Sequence, residues 1–153
     1  MSGAPVIRLA RSDDLAAVEA LIVEAYSPYV ARIGKKPGPM FDDYAALIAD
    51  GRLYVAEDRA GIAGLVVLSQ RDDKALLDNV AVANRVRGTG LGKTLIAHAE
   101  ALALDAGFAE IILYTQEKMS ENRAIYSYLG YRETYRVTEK GLDRVYFSKM
   151  LHP

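Results

Sequence analysis

Apolar positions along this chain change period several times, and the changes mark its elements. A short strand pattern over Val6 to Leu9 gives way at Ser12 to a helical one. Ser12 offers an N-cap, and Asp13 and Asp14 complement the helix dipole. Leu15, Val18, Leu21, Ile22 and Ala25 recur at helical spacing, which predicts an amphipathic helix over 13–26. Ser27 to Met40 holds three prolines and two glycines and reads as a long loop or broken helix. A short helix fits Phe41 to Ala49, ended by Asp50-Gly51. Strands follow at Leu53–Glu57, Ile62–Ser69 and Ala75–Val82, with hairpin turns at Asp58-Arg-Ala-Gly61 and Gln70-Arg-Asp-Asp73. Leu91, Leu95, Ile96, Ala99, Leu102 and Ala103 then form a helical stripe that stops at Gly107. Glu110–Thr115 reads as a strand, and Ser120 or Glu121 opens a helix to Leu129, closed by Gly130. A last hairpin pairs Arg132–Thr138 with Arg144–Met150 around Lys140-Gly141. The order βααβββαβαββ predicts an α/β fold, a mixed sheet with helices on both faces.

Composition adds bounds rather than detail. With 153 residues, and no internal repeat or linker, residues 1–153 read as one domain. A net charge of −1 gives no field for nucleic acid or an anionic membrane, so any phosphate recognition must be local. The absence of cysteine excludes a disulfide framework, a thiolate zinc site and a cysteine nucleophile. Two histidines far apart, His98 and His152, give a metal site no support; His98 reads as packing on the flank of its helix. No leader and no apolar run near 18 residues point to a cytoplasmic protein without a membrane span.

The chemistry concentrates in Val80-Ala-Val-Ala-Asn-Arg-Val-Arg-Gly-Thr-Gly-Leu-Gly-Lys-Thr94, where a strand runs through a glycine turn into a helix. Glycines 88, 90 and 92 leave backbone N–H groups uncovered at the positive end of a helix dipole, a setting for phosphate or pyrophosphate. A Walker A loop needs glycine where Arg87 stands, and a GxGxxG fingerprint needs glycine where Lys93 stands, so both nucleotide motifs fail. A second constellation is Met119-Ser-Glu-Asn-Arg-Ala-Ile-Tyr-Ser-Tyr-Leu-Gly-Tyr131, in which Asn122 and Tyr126 share a helix face one turn apart.

The first stretch, Arg87-x-x-Gly90-x-Gly92, resembles the [Gln/Arg]-x-x-Gly-x-[Gly/Ala] loop of the GNAT superfamily, the Gcn5-related N-acetyltransferases. The second resembles that family's Asn-x-x-Ala-x-x-x-Tyr-x-x-x-Gly-Phe signature, with a shorter Asn-to-Tyr spacing and Tyr131 in place of phenylalanine. The resemblance implies the GNAT fold, with a central, mostly antiparallel sheet, and acetyl-CoA as acyl donor with no metal. It implies that Val80, Ala81 and Val82 lie along the pantetheine, with backbone donors near Val80 and Val82 that also polarise the acetyl carbonyl. Arg87, Gly88, Thr89, Gly90, Leu91, Gly92, Lys93 and Thr94 would grip the pyrophosphate, Asn122 would meet the pantetheine arm, and Tyr126 would be the general acid beside sulfur.

The acceptor implied is a primary amine of a small molecule or a peptide N-terminus. Tyr26, Tyr29, Met40 and Phe41, with Asp78 and Tyr114, are the candidate walls of its site, and Arg32, Lys35 and Lys36 form a basic loop beside it. Some relatives carry a base glutamate twelve residues before the tyrosine; Tyr114 stands there, so Asp78, Glu117, Glu57 or a water chain remain for that role. Tyr128 lies on a different helix face and reads as surface. Homodimers are common in the family, and the C-terminal hairpin with Tyr146 and Phe147 offers a contact. The competing function is a GNAT-fold module that senses acyl-CoA without catalysis.

Overall fold

A computed structural model describes residues 4–153. Its strands are β1 (Val6–Leu9), β2 (Leu53–Asp58), β3 (Gly61–Arg71), β4 (Lys74–Val82), β5 (Glu110–Gln116), β6 (Arg132–Glu139) and β7 (Leu142–Met150). Its helices are α1 (Leu15–Ile33), α2 (Tyr44–Ala49), α3 (Leu91–Asp105) and α4 (Ser120–Tyr128), so the element order is the one the periodicities predict. The seven strands form one sheet in the order β1-β2-β3-β4-β5-β7-β6, antiparallel except where β4 meets β5. Val18, Leu21 and Ile22 of α1 and Tyr44 of α2 pack on one face of the sheet. Leu91, Leu95, Ile96, Ala99 and Ala103 of α3 pack on the other, with Tyr126 and Leu129 beside them.

Two predicted boundaries move. Ser12 makes no capping bond; a single 3-10 turn over Ser12–Asp14 precedes α1, held by Asp14, which accepts from the Arg11 N–H at 2.7 Å and from the Arg8 guanidinium at 2.8 Å. The segment from Ser27 is not a loop as far as Ile33. α1 runs through Pro28 and ends only at Gly34, in the left-handed region at φ 83°. Pro28 removes one backbone donor, but the turn beyond it is anchored: Ile33 is buried and Arg32 bonds to Glu121 and to the Lys118 carbonyl. Lys35 donates to the Gly141 carbonyl. Arg32 and Lys35 are thus occupied within the protein instead of forming a free basic loop. Tyr146 and Phe147 are 1% and 2% exposed, so they cannot be the dimer contact suggested for the C-terminal hairpin.

The central irregularity lies in β4. Val67 pairs with Asn79 and Leu68 with Leu77, leaving Asp78 as an extra, bulged residue. An extra residue inverts the alternation of side chains. Leu77 therefore packs on the α3 side, while Ala81 packs on the α1 side and Asn79 bonds to Tyr26 and Tyr44 there. Beyond the bulge β4 also parts from β5. Only Ala75–Leu77 pair with Ile111–Leu113, after which each strand continues without the other.

Candidate active site

The parted strands expose a line of backbone groups. The Ala83 N–H bonds the Ala63 carbonyl at 2.8 Å, and antiparallel alternation then directs Ala81 toward β3. The N–H and C=O groups of Val80 and Val82 point the opposite way, into the gap that β5 has left. One cleft follows this edge, lined by Val80, Ala81 and Val82, by Arg87, Gly88 and Gly90 of the turn, by Leu91, Gly92, Lys93 and Ile96 of α3, and by Asn122, Ile125 and Tyr126 of α4.

At the turn end of the cleft, Gly88 and Gly90 adopt φ of 79° and 87°, which a β-carbon would strain. A β-carbon at Gly92 would meet Val82 Cγ2 at 3.6 Å, so the helix start lies close to the strand. The first-turn amides of Leu91, Gly92 and Lys93 have no intrahelical acceptor, by the geometry of any helix start. The two arginines of the turn separate. Arg85 is spent in a two-bond contact with Asp58 at 2.7 and 2.9 Å. Arg87 makes no ion pair among the described residues and lines the cleft, so an unpaired cation and a row of free amides face the same space. This donor set fits a pyrophosphate. Thr89 and Thr94 turn their hydroxyls to the Val86 and Gly90 carbonyls and are not part of the lining.

At the other end stands Tyr126. Its ring packs 6.0 Å from both Tyr131 and Phe147, while its hydroxyl bonds to no protein group among the described residues. Burial pushes its pKa up to about 12, and the neighbouring Tyr29 adds to the shift. Tyr29, on α1, donates to Glu121 at 3.3 Å; Arg32 grips the same carboxylate and holds its pKa down at about 2. That cluster ties α1 to the start of α4 across the cleft.

A second pocket opens from the same point, sharing Tyr26, Val80, Met119, Asn122 and Tyr126 with the first. It is roofed by Pro37, Gly38 and Pro39 and walled by Asp78, Tyr114 and Arg144. Asp78 accepts from the Tyr114 hydroxyl at 3.0 Å. Burial, then the Asp78 charge, raises the Tyr114 pKa above the ordinary phenol range. Arg144 lies over the Tyr114 ring at 4.3 Å and donates to Glu139 at 2.9 Å. Its guanidinium comes so close to Gly38 that a β-carbon there would stand 2.9 Å from Nη2. Beneath the junction of the two pockets runs a buried chain: Tyr26 donates to Asn79 Oδ1, Asn79 Nδ2 donates to Tyr44, and Tyr44 donates to the Pro39 carbonyl.

Of the residues singled out in the sequence, Val80, Ala81, Val82, Arg87, Gly88, Gly90 to Lys93, Asn122, Tyr126, Tyr26 and Tyr29 meet along the first cleft. Asp78 and Tyr114 line the second. Met40 packs against the α1-side core, and Phe41 is 70% exposed, so neither walls a pocket. Among the carboxylates considered as bases, Glu57 is bonded to Arg8 and Glu117 is paired with Arg136, whereas Asp78 faces the pocket. His98 packs edge-on against Tyr54, 5.6 Å between centroids, as a helix-flank residue. Asn79, Gln116, Met119 and Arg144 were not anticipated. Asn79 had a signal: Asp78-Asn79 is a polar pair inside an apolar strand, which marks a bulge.

Among the described residues, no helix is long and apolar enough to cross a membrane. No curated protein sequence matches the chain. Solved structures of similar fold include the PaiA N-acetyltransferase of Thermoplasma acidophilum in complex with coenzyme A, at 18% identity and a TM-score of 0.79 over 95% of this chain and 98% of that one. An IAA acetyltransferase of Bacillus cereus matches at 23% identity and a TM-score of 0.69 over 96% and 99%. The ribosomal-protein-S18-alanine N-acetyltransferase of Escherichia coli matches at 19% identity and 0.73 over 96% and 95%. The family model described as an acetyltransferase (GNAT) domain matches residues 49–133, which run from the end of α2 through the glycine turn and α4. The chain belongs to the GNAT acetyltransferase family.

Proposed function

We propose that this chain is an acetyl-CoA-dependent N-acetyltransferase acting on a primary amine of a small molecule or a peptide N-terminus. The observation that carries the proposal is the meeting of two pockets at Val80 and Tyr126, one leading to a pyrophosphate-type turn and the other to an aromatic pocket holding Asp78. The Thermoplasma acidophilum relative, crystallised with coenzyme A, supports the donor. When bound, acetyl-CoA supplies an activated acyl carbonyl and a thiol leaving group.

The chain's own residues divide the remaining work. Arg87 and the amides of Gly88 and of Gly90 to Lys93 hold the negative end of the donor, the Thr89 amide being bonded to the Val86 carbonyl. The outward N–H and C=O groups of Val82 and the N–H of Val80 pair with its amide arm, assisted by Asn122, and a donor on this edge meets the charge that develops on the carbonyl oxygen. Tyr126 holds a proton where the sulfur becomes anionic. Asp78 is the carboxylate in reach of the amine pocket and takes the proton that the amine sheds. An α-amine of pKa near 7.8 costs about 1 kcal/mol to deprotonate at pH 7, and a lysine side chain near 10.4 about 4.6 kcal/mol, so an acceptor of low pKa suits a site with a single, tyrosine-bonded carboxylate.

Thermal unfolding with and without acetyl-CoA, joined to an amine panel, tests the reading. A donor at about a hundred times its Kd stabilises by roughly 2.7 kcal/mol, or about 5–11 °C in Tm for a chain of this size. The Arg87→Glu variant should lose most of that shift. No shift at millimolar acetyl-CoA would overturn the proposal, and donor binding without transfer to any amine would favour a sensing module.

A further inference from the structure

The buried chain beneath the junction has a fixed direction. Its far end is the Pro39 carbonyl, which can only accept, so the single hydroxyl proton of Tyr44 is committed to it. Tyr44 must then accept from Asn79, which turns Nδ2 toward Tyr44 at 3.1 Å and Oδ1 toward Tyr26. An amide oxygen can only accept, so the one proton of Tyr26 is committed in turn. Tyr26, Tyr44 and Asn79 are 9%, 4% and 5% exposed, which leaves bulk water little part in the arrangement.

The Val80 carbonyl stands 3.3 Å from the same hydroxyl, as a second and longer acceptor for its proton. We infer that the proton stays with Asn79, so that Tyr26 presents a lone pair to the junction and, with the Val80 carbonyl, forms a two-acceptor notch for the N–H groups of the attacking amine. The inference rests on the acetyltransferase reading and deepens it by giving the acceptor a chemical signature. A neutral primary amine has two N–H groups for two acceptors, and its lone pair is then directed away from them. A secondary amine offers one N–H, and an alcohol offers a single O–H, so each leaves part of the notch unpaired. Because an amide interrupts the chain and a backbone carbonyl ends it, it conducts no proton. Tyr26 is a positioning residue for the amine, and the base is elsewhere.

Two measurements test this. In the ligand-free wild-type protein, the Asn79 Nδ2 protons should show nuclear Overhauser contacts to the Tyr44 ring; contacts to the Tyr26 ring instead would reverse the chain and overturn the inference, whatever the enzyme does. In kinetics, the best primary amine of the panel is compared with its N-methyl derivative. Tyr26→Phe should raise the acceptor KM about tenfold, leave the donor KM within twofold, and reduce the preference for the primary amine. Tyr44→Phe, which lines neither pocket, should move the same two quantities in the same direction by freeing Asn79 to turn. The double variant should be no worse than Tyr26→Phe alone. Additive effects, or equal losses for both amines, would overturn the notch. Absence of any transfer by the wild type would sink the acetyltransferase reading, a failure distinct from a reversed amide.

Discussion

Replacing Tyr126 by phenylalanine isolates one oxygen atom. The hydroxyl has no protein partner, so its removal orphans no buried group, and the ring keeps its packing on Tyr131 and Phe147. Stability should therefore change by less than about 0.5 kcal/mol, the range of substitutions that disturb no packing or pairing. The effect on catalysis follows from the pKa of about 12. Against a thiol near 8.5, complete transfer of the phenolic proton is uphill by ~3.5 units, or ~4.8 kcal/mol, so Tyr126 assists as a hydrogen-bond donor that strengthens as sulfur gains charge. A hydrogen bond to a charged group is worth about 1.5–3 kcal/mol, which predicts a fall in kcat of roughly 10- to 150-fold. Single-turnover and steady-state release of free thiol measure that fall directly, while titration with a non-hydrolysable acyl-CoA analogue should find donor affinity unchanged. The raised pKa carries a second signature. The phenol stays protonated up to about pH 12, so the wild-type profile should show no alkaline loss of kcat assignable to this group. An unchanged kcat in the variant, or a wild-type alkaline limb near pH 10 that the variant lacks, would refute the reasoning.

Three further outcomes follow from the geometry. Arg85→Glu should leave the acetyl-CoA thermal shift close to wild type, because Arg85 is engaged with Asp58, whereas Arg87→Glu should lose most of it; equal losses would mean general charge rather than a placed contact. Gly64→Val should destabilise by about 1–3 kcal/mol, lowering Tm by several degrees, because even a β-carbon there would stand 2.9 Å from Leu95 Cδ1 and 3.1 Å from the Ala81 carbonyl. A wild-type Tm would show that α3 can retreat without cost. Asp14 is held at a pKa of about 2, first by its hydrogen bonds from Arg8, so its contribution is complete above the unfolded value near 3.9 and is lost as pH falls through 2. With solvent screening at this site it amounts to ~1–2 kcal/mol, and Asp14→Asn should flatten the wild-type decline in stability between pH 4 and 2 in urea titrations.

The element order and the donor end of the site were legible because both rest on local signals: unbroken periodicities, and a glycine turn and helix motif contiguous in the chain. The continuation of α1 was not. Pro28 is a correct local warning, overruled by contacts of Arg32 and Ile33 with segments remote in sequence. The bulge at Asp78 is written in two adjacent polar residues, but its effect on facing requires the register with β3. The second pocket was the least accessible, because Pro37 to Pro39, Asp78, Tyr114 and Arg144 come together only when the sheet is assembled. Aromatic content suggested Met40 and Phe41 as walls, yet the roof is built from the Pro-Gly-Pro turn just before them.

The brief contact between β4 and β5 also has a mechanical meaning. Three residue pairs are all that stitch the β1–β4 portion of the sheet to the β5–β7 portion by backbone bonding. The gap beyond them is a seam with its rungs missing, and a ligand that bonds to Val80 and Val82 supplies some of them. Occupancy of the cleft and cohesion of the sheet are then two views of one equilibrium, since a ligand that favours the joined form is itself held more tightly by anything that stiffens the seam. Slowed amide exchange in β4 and β5, at positions that touch no ligand atom, would be the trace of that shared work.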